Sequence, residues 1–123
     1  MSKPLSFKRT LRSIRKKSEF VSVYSSKPDS VRSGPFKAYC SADPPFCFAR
    51  LGMVVPKRST KTSVKRNLVK RLIRECFREG IDHLPKTDIV VSLKGNVSTM
   101  LKSDIRNLLY LLFHALSEKK AKK

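Results

Sequence analysis

The organisation of this 123-residue chain is decided by the stretch Ser63-Val64-Lys65-Arg66-Asn67-Leu68-Val69-Lys70-Arg71-Leu72-Ile73-Arg74-Glu75-Cys76-Phe77-Arg78. At about 100° per residue of helix, its apolar side chains collect on one side and its basic and amide side chains on the other. Thr62 or Ser63 can cap this helix, which the pattern predicts over residues 64–79, and Gly80 ends it. One side can therefore pack on a core while the opposite side presents guanidinium, ammonium and amide donors to solvent.

The charge of the chain is strongly one-sided. It carries 28 Lys and Arg against 9 Asp and Glu, a formal net charge of +19. A field of this sign and size attracts polyanions and makes association fast and sensitive to salt. We therefore predict a nucleic acid as the partner. An anionic membrane surface is the weaker alternative, since no apolar run is long enough to span a bilayer.

The basic side of the predicted helix is more uniform than a solubilising surface requires. Ordinary solvated helices mix Glu with Lys to gain pairs four residues apart. Here six of the seven charged residues from Lys65 to Arg78 are positive. The resulting repulsion favours a polyanion-binding surface over a merely solvated one. Asn67 adds a neutral donor and acceptor that suit a 2′-hydroxyl group or a base edge.

Three runs of the sequence have the pattern of β-strands. Residues 36–40 alternate between apolar and polar, which predicts a half-buried strand. Residues 46–55 form a second run, expected to pair antiparallel with the first if the connection between them is a short hairpin. Gly52 within this run indicates a bulge or a close backbone approach. Residues 87–93 are almost continuously apolar, which predicts a central strand.

Two further helices complete the predicted domain, a short one over residues 18–24 and a last one over residues 103–116. The order of elements predicts an α+β fold, α-β-β-(β)-α-β-α: a two-layer α/β sandwich in which helices pack on a small mixed sheet. A chain of this length forms one domain, which we place at residues 14–118. It lies between a basic N-terminal arm at residues 1–13 and a basic tail, expected to be frayed, at residues 119–123.

Aromatic side chains flanked by cations form the second binding signal. Phe20 and Tyr24 lie one helical turn apart, and Tyr39 shares a strand face with Lys37. Aromatic rings beside Lys or Arg can stack unpaired bases. The alternative is ordinary core packing, which weighs most for Phe20, because the hydroxyl groups of the two tyrosines favour a wet location.

No catalytic or metal-binding constellation is recognisable in the sequence. The nine acids are scattered, and Asp82 beside His83 is expected to belong to a solvated loop and not to an acid–base pair. Cys40, Cys47 and Cys76 lack metal-ligand spacing, so we expect three reduced thiols in a cytoplasmic protein that holds no metal or organic cofactor itself. If the protein belongs to an enzyme, its catalytic groups are expected to come from elsewhere.

Several motifs, in order along residues 14–116, resemble the bacterial ribonuclease P protein family. The family's signature helix has an Arg-Asn-Arg core, a Lys-Arg pair and another Arg, which correspond here to the stretch from Arg66 to Arg74. The other matching motifs are Phe20-x-x-x-Tyr24, Phe36-x-x-Tyr39, Arg50-Leu51-Gly52-Met53-Val54-Val55-Pro56-Lys57-Arg58 and Asp88-Ile89-Val90-Val91. The second Arg of the core falls on Leu68, at the edge of the apolar side, where we expect packing or the neighbouring Lys65 to replace the missing contact.

The resemblance implies a protein subunit that assists a catalytic RNA. In such an enzyme the RNA, which holds most of the magnesium, cleaves precursor tRNA to make its mature 5′ end, and no obligate protein partner is predicted. The residues implied to bind the catalytic RNA are Lys57, Arg58, Lys65, Arg66, Asn67, Lys70, Arg71 and Arg74. Those implied to bind the single-stranded 5′ leader are Phe20, Tyr24, Lys37 and Tyr39. The resemblance also implies a left-handed β-α-β crossover around the signature helix, an exception to the usual right-handed rule.

Two other classes of protein fit parts of this pattern. A structural RNA-binding protein, such as a ribosomal protein, shares the charge and the small size but has no need of a wet aromatic cleft. A self-sufficient nuclease requires an acidic metal site, which the sequence does not show.

Overall fold

The computed structural model describes residue 14 and residues 17–25, 28–41, 49–84 and 87–122. In chain order its helices and strands are α1 (Lys17–Ser25), β1 (Asp29–Ser33), β2 (Phe36–Cys40), β3 (Arg50–Val54), α2 (Ser63–Glu79), β4 (Asp88–Leu93) and α3 (Lys102–Lys122), with 3₁₀ turns at Lys57–Ser59 and Ile81–His83. Within the described ranges, none of the helices has the length and apolar character needed to cross a membrane.

The strands form one mixed sheet in the order β1-β2-β4-β3. β2 pairs antiparallel with β1 and with β4, whereas β3 and β4 run parallel and are connected through α2. β4 is central and all of its residues are buried, as its continuous apolar run predicted. The α+β class with a small mixed sheet is therefore confirmed. The left-handed sense of the β3-α2-β4 crossover stays a prediction of the resemblance.

The antiparallel pairing predicted between residues 36–40 and 46–55 is wrong. β2 pairs instead with β1, an edge strand with little apolar pattern, through a turn at Gly34 and Pro35. Gly34 has a φ of 56°, which glycine adopts without a steric penalty, so a tight hairpin forms there. The second run becomes a strand only at Arg50. Its residues 46–48, Cys47 among them, lie outside the described part of the chain.

One face of the sheet is covered by α2 and α3 and forms the main core. The two helices contribute buried side chains at helical spacing: Val69, Leu72, Ile73, Cys76 and Phe77 from α2, and Ile105, Leu109, Leu112, Phe113 and Leu116 from α3. The apolar side predicted for α2 is thus confirmed, with Leu68 packed at its edge. α3 continues past the predicted end at residue 116, so the tail expected to be frayed is helical as far as Lys122.

The opposite face of the sheet, here named the open face, is only partly covered. By strand register its residues are Ser30, Arg32, Lys37, Tyr39, Arg50, Gly52, Val54, Asp88, Val90 and Ser92. α1 packs over it through Val23 and Phe20. A Cβ added to Gly52 would lie 2.8 Å from a carbon of the Phe20 ring. The close approach predicted at Gly52 is confirmed, and the ladder passes through Gly52 without a bulge.

Candidate nucleic-acid interface

The start of α2 is fixed by a side-chain cap. The Thr62 hydroxyl accepts a hydrogen bond from the backbone N–H of Lys65 at 3.1 Å, so the helix begins at Ser63. Gly80 follows the last helical residue, as predicted. The cap fixes where the helical periodicity begins, and the buried apolar side chains of α2 fix how the helix is oriented on the sheet.

The basic side of α2 faces solvent, as predicted. Asn67 and Arg74 are exposed, and Arg66 and Lys70 are half-buried. Among the described residues, Arg66, Lys70 and Arg74 form no ion pair. Three cations and one amide are therefore presented to an external anion with no carboxylate competing for them.

Two of the predicted RNA-binding cations have partners within the protein. Lys65 Nζ donates to the Met100 carbonyl, which ties α2 to the segment that precedes α3. Arg71 Nε lies 3.9 Å from the Glu75 carboxylate one turn later, a weak exposed pair. Lys65 is thus engaged internally and Leu68 packs on the core. At Leu68, which occupies the position of the family's second Arg, packing on the core therefore takes the place of the missing contact, and the Lys65 ammonium does not.

The acids of α2 make their closest contacts with α3, and only Glu75 also lies within 4 Å of a cation of the basic side, Arg71. Arg106 of α3 donates to the Glu75 carboxylate at 3.2 Å, and the Tyr110 hydroxyl donates to Glu79 at 2.6 Å. The bond to Glu79 raises the pKa of Tyr110. The negative charge of the helix is thereby concentrated at the contact between α2 and α3, and the exposed side that carries Arg66, Lys70 and Arg74 stays basic.

Lys57 and Arg58 lie on a fixed turn between β3 and α2. Both side chains are exposed, whereas the next residue, Ser59, is buried. The Ser59 carbonyl accepts a hydrogen bond from the backbone N–H of Val97 at 3.0 Å. This bond holds the turn against the segment after β4, so the two exposed cations are held just ahead of α2.

The four residues predicted to bind a leader meet at the open face. Tyr24 of α1 and Tyr39 of β2 pack edge to face, with ring centroids 5.0 Å apart and ring planes at 84°. The Lys37 ammonium lies 5.2 Å from the Tyr39 ring centroid. Tyr24 is 41% exposed. Its pKa is raised, mainly because the hydroxyl is partly buried and to a lesser extent because of the nearby Tyr39. Phe20 is half-buried against Gly52, so its ring contributes to the packing of α1.

Sequence reasoning missed two cations beside this aromatic pair. The Lys94 ammonium lies 5.8 Å from the Tyr39 ring centroid, and Arg32 of β1 is paired in register with Lys37. The Gly34-Pro35 turn is the one sequence signal that could have placed Arg32 there. A cation–π contact at an exposed site is worth about 0.5–1 kcal/mol, less than the roughly 1–3 kcal/mol of a base stacked on an aromatic ring.

Arg50 holds α1 to the sheet. Its guanidinium donates from Nε and Nη2 to both oxygens of Asp88, at 2.7 and 2.8 Å, and from Nη1 to Glu19 at 3.1 Å. The hydrogen bond to Asp88 is the main reason that the pKa of Arg50 is raised. Because Glu19 precedes Phe20 on α1, this three-residue network fixes the helix that carries Phe20 and Tyr24.

A separate pocket of about 650 Å³ lies between the end of α2 and α3, on the side of the sheet away from the open face. Cys76 lies in the wall of this pocket and is buried. Its burial is the main reason that the pKa of the thiol is raised to about 11, and the negative charge of Glu79 adds to the effect. The thiol is therefore protonated and unreactive near neutral pH. Across the described ranges, no three His, Cys, Asp or Glu side chains gather where they could hold a metal ion.

Comparison with known proteins gives one consistent family. Residues 7–117 match the family model described as Ribonuclease P. A curated relative from Aliivibrio fischeri, named Ribonuclease P protein component, is 44% identical over 68 residues, and one from Vibrio campbellii with the same name is 43% identical over 68 residues. Each match covers 55% of this chain and 58% of the relative. The chain thus matches less than two thirds of the length of these relatives.

Solved structures extend the likeness to most of the chain. The Staphylococcus aureus RNase P protein is 30% identical with a TM-score of 0.75, and the match covers 85% of this chain and 94% of that one. The RNase P protein from Thermotoga maritima is 27% identical with a TM-score of 0.66, covering 83% of this chain and 96% of that one.

Proposed function

Because this chain belongs to the ribonuclease P protein family, we propose that it is the protein component of a ribonuclease P, an endoribonuclease that makes the mature 5′ end of tRNA. The basic side of α2, with Lys57 and Arg58, binds the catalytic RNA. The open face binds the single-stranded 5′ leader of precursor tRNA. The catalytic centre belongs to the RNA, and the protein acts by binding and orienting the substrate.

The arrangement of Tyr24, Tyr39 and Lys37 on the open face is the observation that carries this proposal. Two accessible aromatic rings beside an ammonium group suit unpaired bases and their phosphates, whereas the paired regions of an RNA offer them no unstacked base. The basic side of α2 offers a row of donors with no rings, which suits a folded RNA backbone. The two surfaces thus fit two different RNAs, one folded and one single-stranded.

We propose that magnesium is held mainly by the partner RNA, where it would supply an activated water and charge stabilisation when bound. The cations of α2 support this indirectly, because they neutralise RNA phosphates that would otherwise repel one another when the RNA folds and the substrate docks. A cytoplasmic location and the lack of an obligate protein partner stay part of the same proposal.

Reconstitution with the catalytic RNA tests the function. We expect the protein to increase the rate of precursor tRNA cleavage at low magnesium, with the cut at the mature 5′ end. The protein alone and the RNA alone are the matched controls. RNA binding without a gain in cleavage would identify a structural RNA-binding protein instead, and cleavage by the protein alone would identify a self-sufficient nuclease.

A further inference from the structure

The pocket of about 650 Å³ between the end of α2 and α3 has no part in the function proposed above. None of its described lining residues belongs to the two surfaces proposed to bind RNA. These lining residues include three of the chain's nine acids and no lysine or arginine: Glu79, Asp82 and Glu118. We propose that this cavity, here named the α2–α3 pocket, binds a small organic cation, an ammonium group carried on an apolar body.

The buried part of the pocket wall is apolar. Phe113 lines the pocket and is only 5% exposed. Its ring packs at 60° against the ring of Phe77, with the two centroids 6.3 Å apart, and this contact holds it in place. Cys76 is a second buried residue of the wall, and its thiol is uncharged near neutral pH. The volume lies within the roughly 300–1,000 Å³ of small-molecule sites, which are likewise mostly apolar with a few polar groups.

The carboxylates around this wall are open to an external cation. Glu79 and Asp82 are exposed, and within the described ranges neither forms an ion pair with a lysine or an arginine. The Tyr110 hydroxyl donates to Glu79 at 2.6 Å, which orients this carboxylate and leaves its negative charge in place. An ammonium group in the pocket would therefore be attracted by carboxylates that no cation of the described chain neutralises.

Other classes of ligand fit the α2–α3 pocket less well. The carboxylates repel phosphate groups, and thus RNA. A metal ion would make no use of the apolar wall, and the described residues bring no three metal-ligating side chains together. A neutral apolar molecule would displace water from the carboxylates without offering them a partner. A cation on an apolar body satisfies the charged and the apolar part of the pocket together.

A ligand in this pocket would connect three elements of the fold. Glu79 lies on α2, Asp82 on the turn Ile81–His83 and Phe113 on α3. Only the folded chain brings these residues together, so a ligand that binds them stabilises the folded state by mass action. Binding can therefore be measured at the pocket itself and as a rise in the Tm of the protein.

The test titrates the full-length protein with small probes, followed by amide chemical shifts in NMR and by thermal unfolding. Phenethylamine carries an ammonium group on an aromatic body at neutral pH. Phenethyl alcohol keeps that body without the charge, and methylamine keeps the charge without the body. N-acetyl-lysine amide represents a lysine side chain of a partner polypeptide.

Three variants locate the binding of phenethylamine. Glu79→Gln and Asp82→Asn each remove one negative charge from the pocket, and a glutamine can still accept the hydrogen bond of Tyr110. Asp104→Asn is the matched control, because Asp104 is an exposed acid in the first turn of α3 that does not line the pocket.

We expect phenethylamine to shift the amides of the pocket residues and to raise the Tm, and to bind at least about fivefold more tightly than phenethyl alcohol or methylamine. Glu79→Gln and Asp82→Asn should each weaken its binding about twofold to fivefold, the range of an exposed ion pair. Asp104→Asn should bind it as the wild type does.

Several results would overturn the cation site. Equal binding of phenethylamine and phenethyl alcohol, shifts centred on amides outside the pocket, or no saturable shift at millimolar probe each contradict it. The same holds if Asp104→Asn loses as much affinity as Glu79→Gln. Tighter binding of N-acetyl-lysine amide than of phenethylamine would assign the pocket to a polypeptide partner instead of a small molecule. Each of these results would leave the proposed function in tRNA maturation untouched.

Discussion

Substitution of Arg50 by Met should detach α1 from the sheet and lower both stability and leader binding. The side chains of Arg50 and Asp88 are 22% and 10% exposed, so the pair is largely buried. Removing one partner of such a pair leaves an uncompensated buried charge, at about 3–5 kcal/mol. The more exposed contact to Glu19 adds at most about 1 kcal/mol. The expected loss is therefore a large share of the roughly 5–15 kcal/mol that stabilises a small domain.

The measurement is urea unfolding followed by circular dichroism, at a pH where all three groups are ionised. Arg78→Met, which removes one exposed cation from α2, is the matched control and should stay within about 0.5 kcal/mol of the wild type. Asp88→Asn, alone and combined with Arg50→Met, completes a double-mutant cycle that isolates the pair. We expect the double variant to lose at least about 1 kcal/mol less than the sum of the single variants.

Two results would refute this reasoning. Loss of one positive charge from a chain of net charge +19 relieves repulsion, so by itself it favours the folded state. If Arg50→Met matched Arg78→Met in stability, the network would carry no net energy. If the single losses simply added, Arg50 and Asp88 would act independently, and the anchoring of α1 would have to come from Phe20 and Val23 alone.

Three further predictions follow from particular side chains. Arg66→Ala or Lys70→Ala should weaken binding of the catalytic RNA and flatten its salt dependence by about one unit of slope each, and an unchanged slope in filter binding would place both side chains outside the interface. Tyr39→Leu keeps an apolar side chain in the packing. It should weaken binding of leader-bearing tRNA by the holoenzyme more than binding of mature tRNA, and equal losses of affinity would contradict leader binding by the aromatic side chains. Burial raises the pKa of the Cys76 thiol to about 11 from an ordinary 9.0. Because the unfolded chain ionises first, the free energy of unfolding should be unaffected by this thiol below pH 9. It should then fall between pH 9 and pH 11, by at most about 1.4 kcal/mol per pH unit. Cys76→Ala should lack that alkaline loss, so parallel stability curves for the variant and the wild type would contradict the shift.

Much of the candidate RNA-binding surface could be predicted from sequence because it lies on one helix. The basic and amide residues between Arg66 and Arg74 share a side by helical periodicity alone, and Thr62 fixes where that periodicity begins. Lys65 is among the residues that the resemblance implies for RNA binding, yet its ammonium is bonded to the Met100 carbonyl. No local pattern indicates that contact, because Met100 lies 35 residues further along the chain and is brought near by the packing of α3 on α2.

The second candidate surface could be predicted only in part. Lys37 and Tyr39 share a face because strand side chains alternate, and Phe20 and Tyr24 share one because they are a helical turn apart. The neighbours of Tyr39 depend instead on strand pairing. A hairpin between residues 36–40 and 46–55 would place β3 beside β2. The observed neighbours of β2 are β1 and β4, and this pairing brings Arg32 and Lys94 near Tyr39.

By itself the sequence determined the amphipathic α2, the buried β4 and the cationic character of the protein, because periodicity, apolar runs and charge are local properties of the chain. The tertiary structure decided which strands are neighbours, that Arg50 meets Asp88 38 residues away, and which cations surround Tyr39. Those contacts depend on register between distant segments, and the energy that selects one register comes from burying the whole sheet against two helices, a quantity that no single stretch contains.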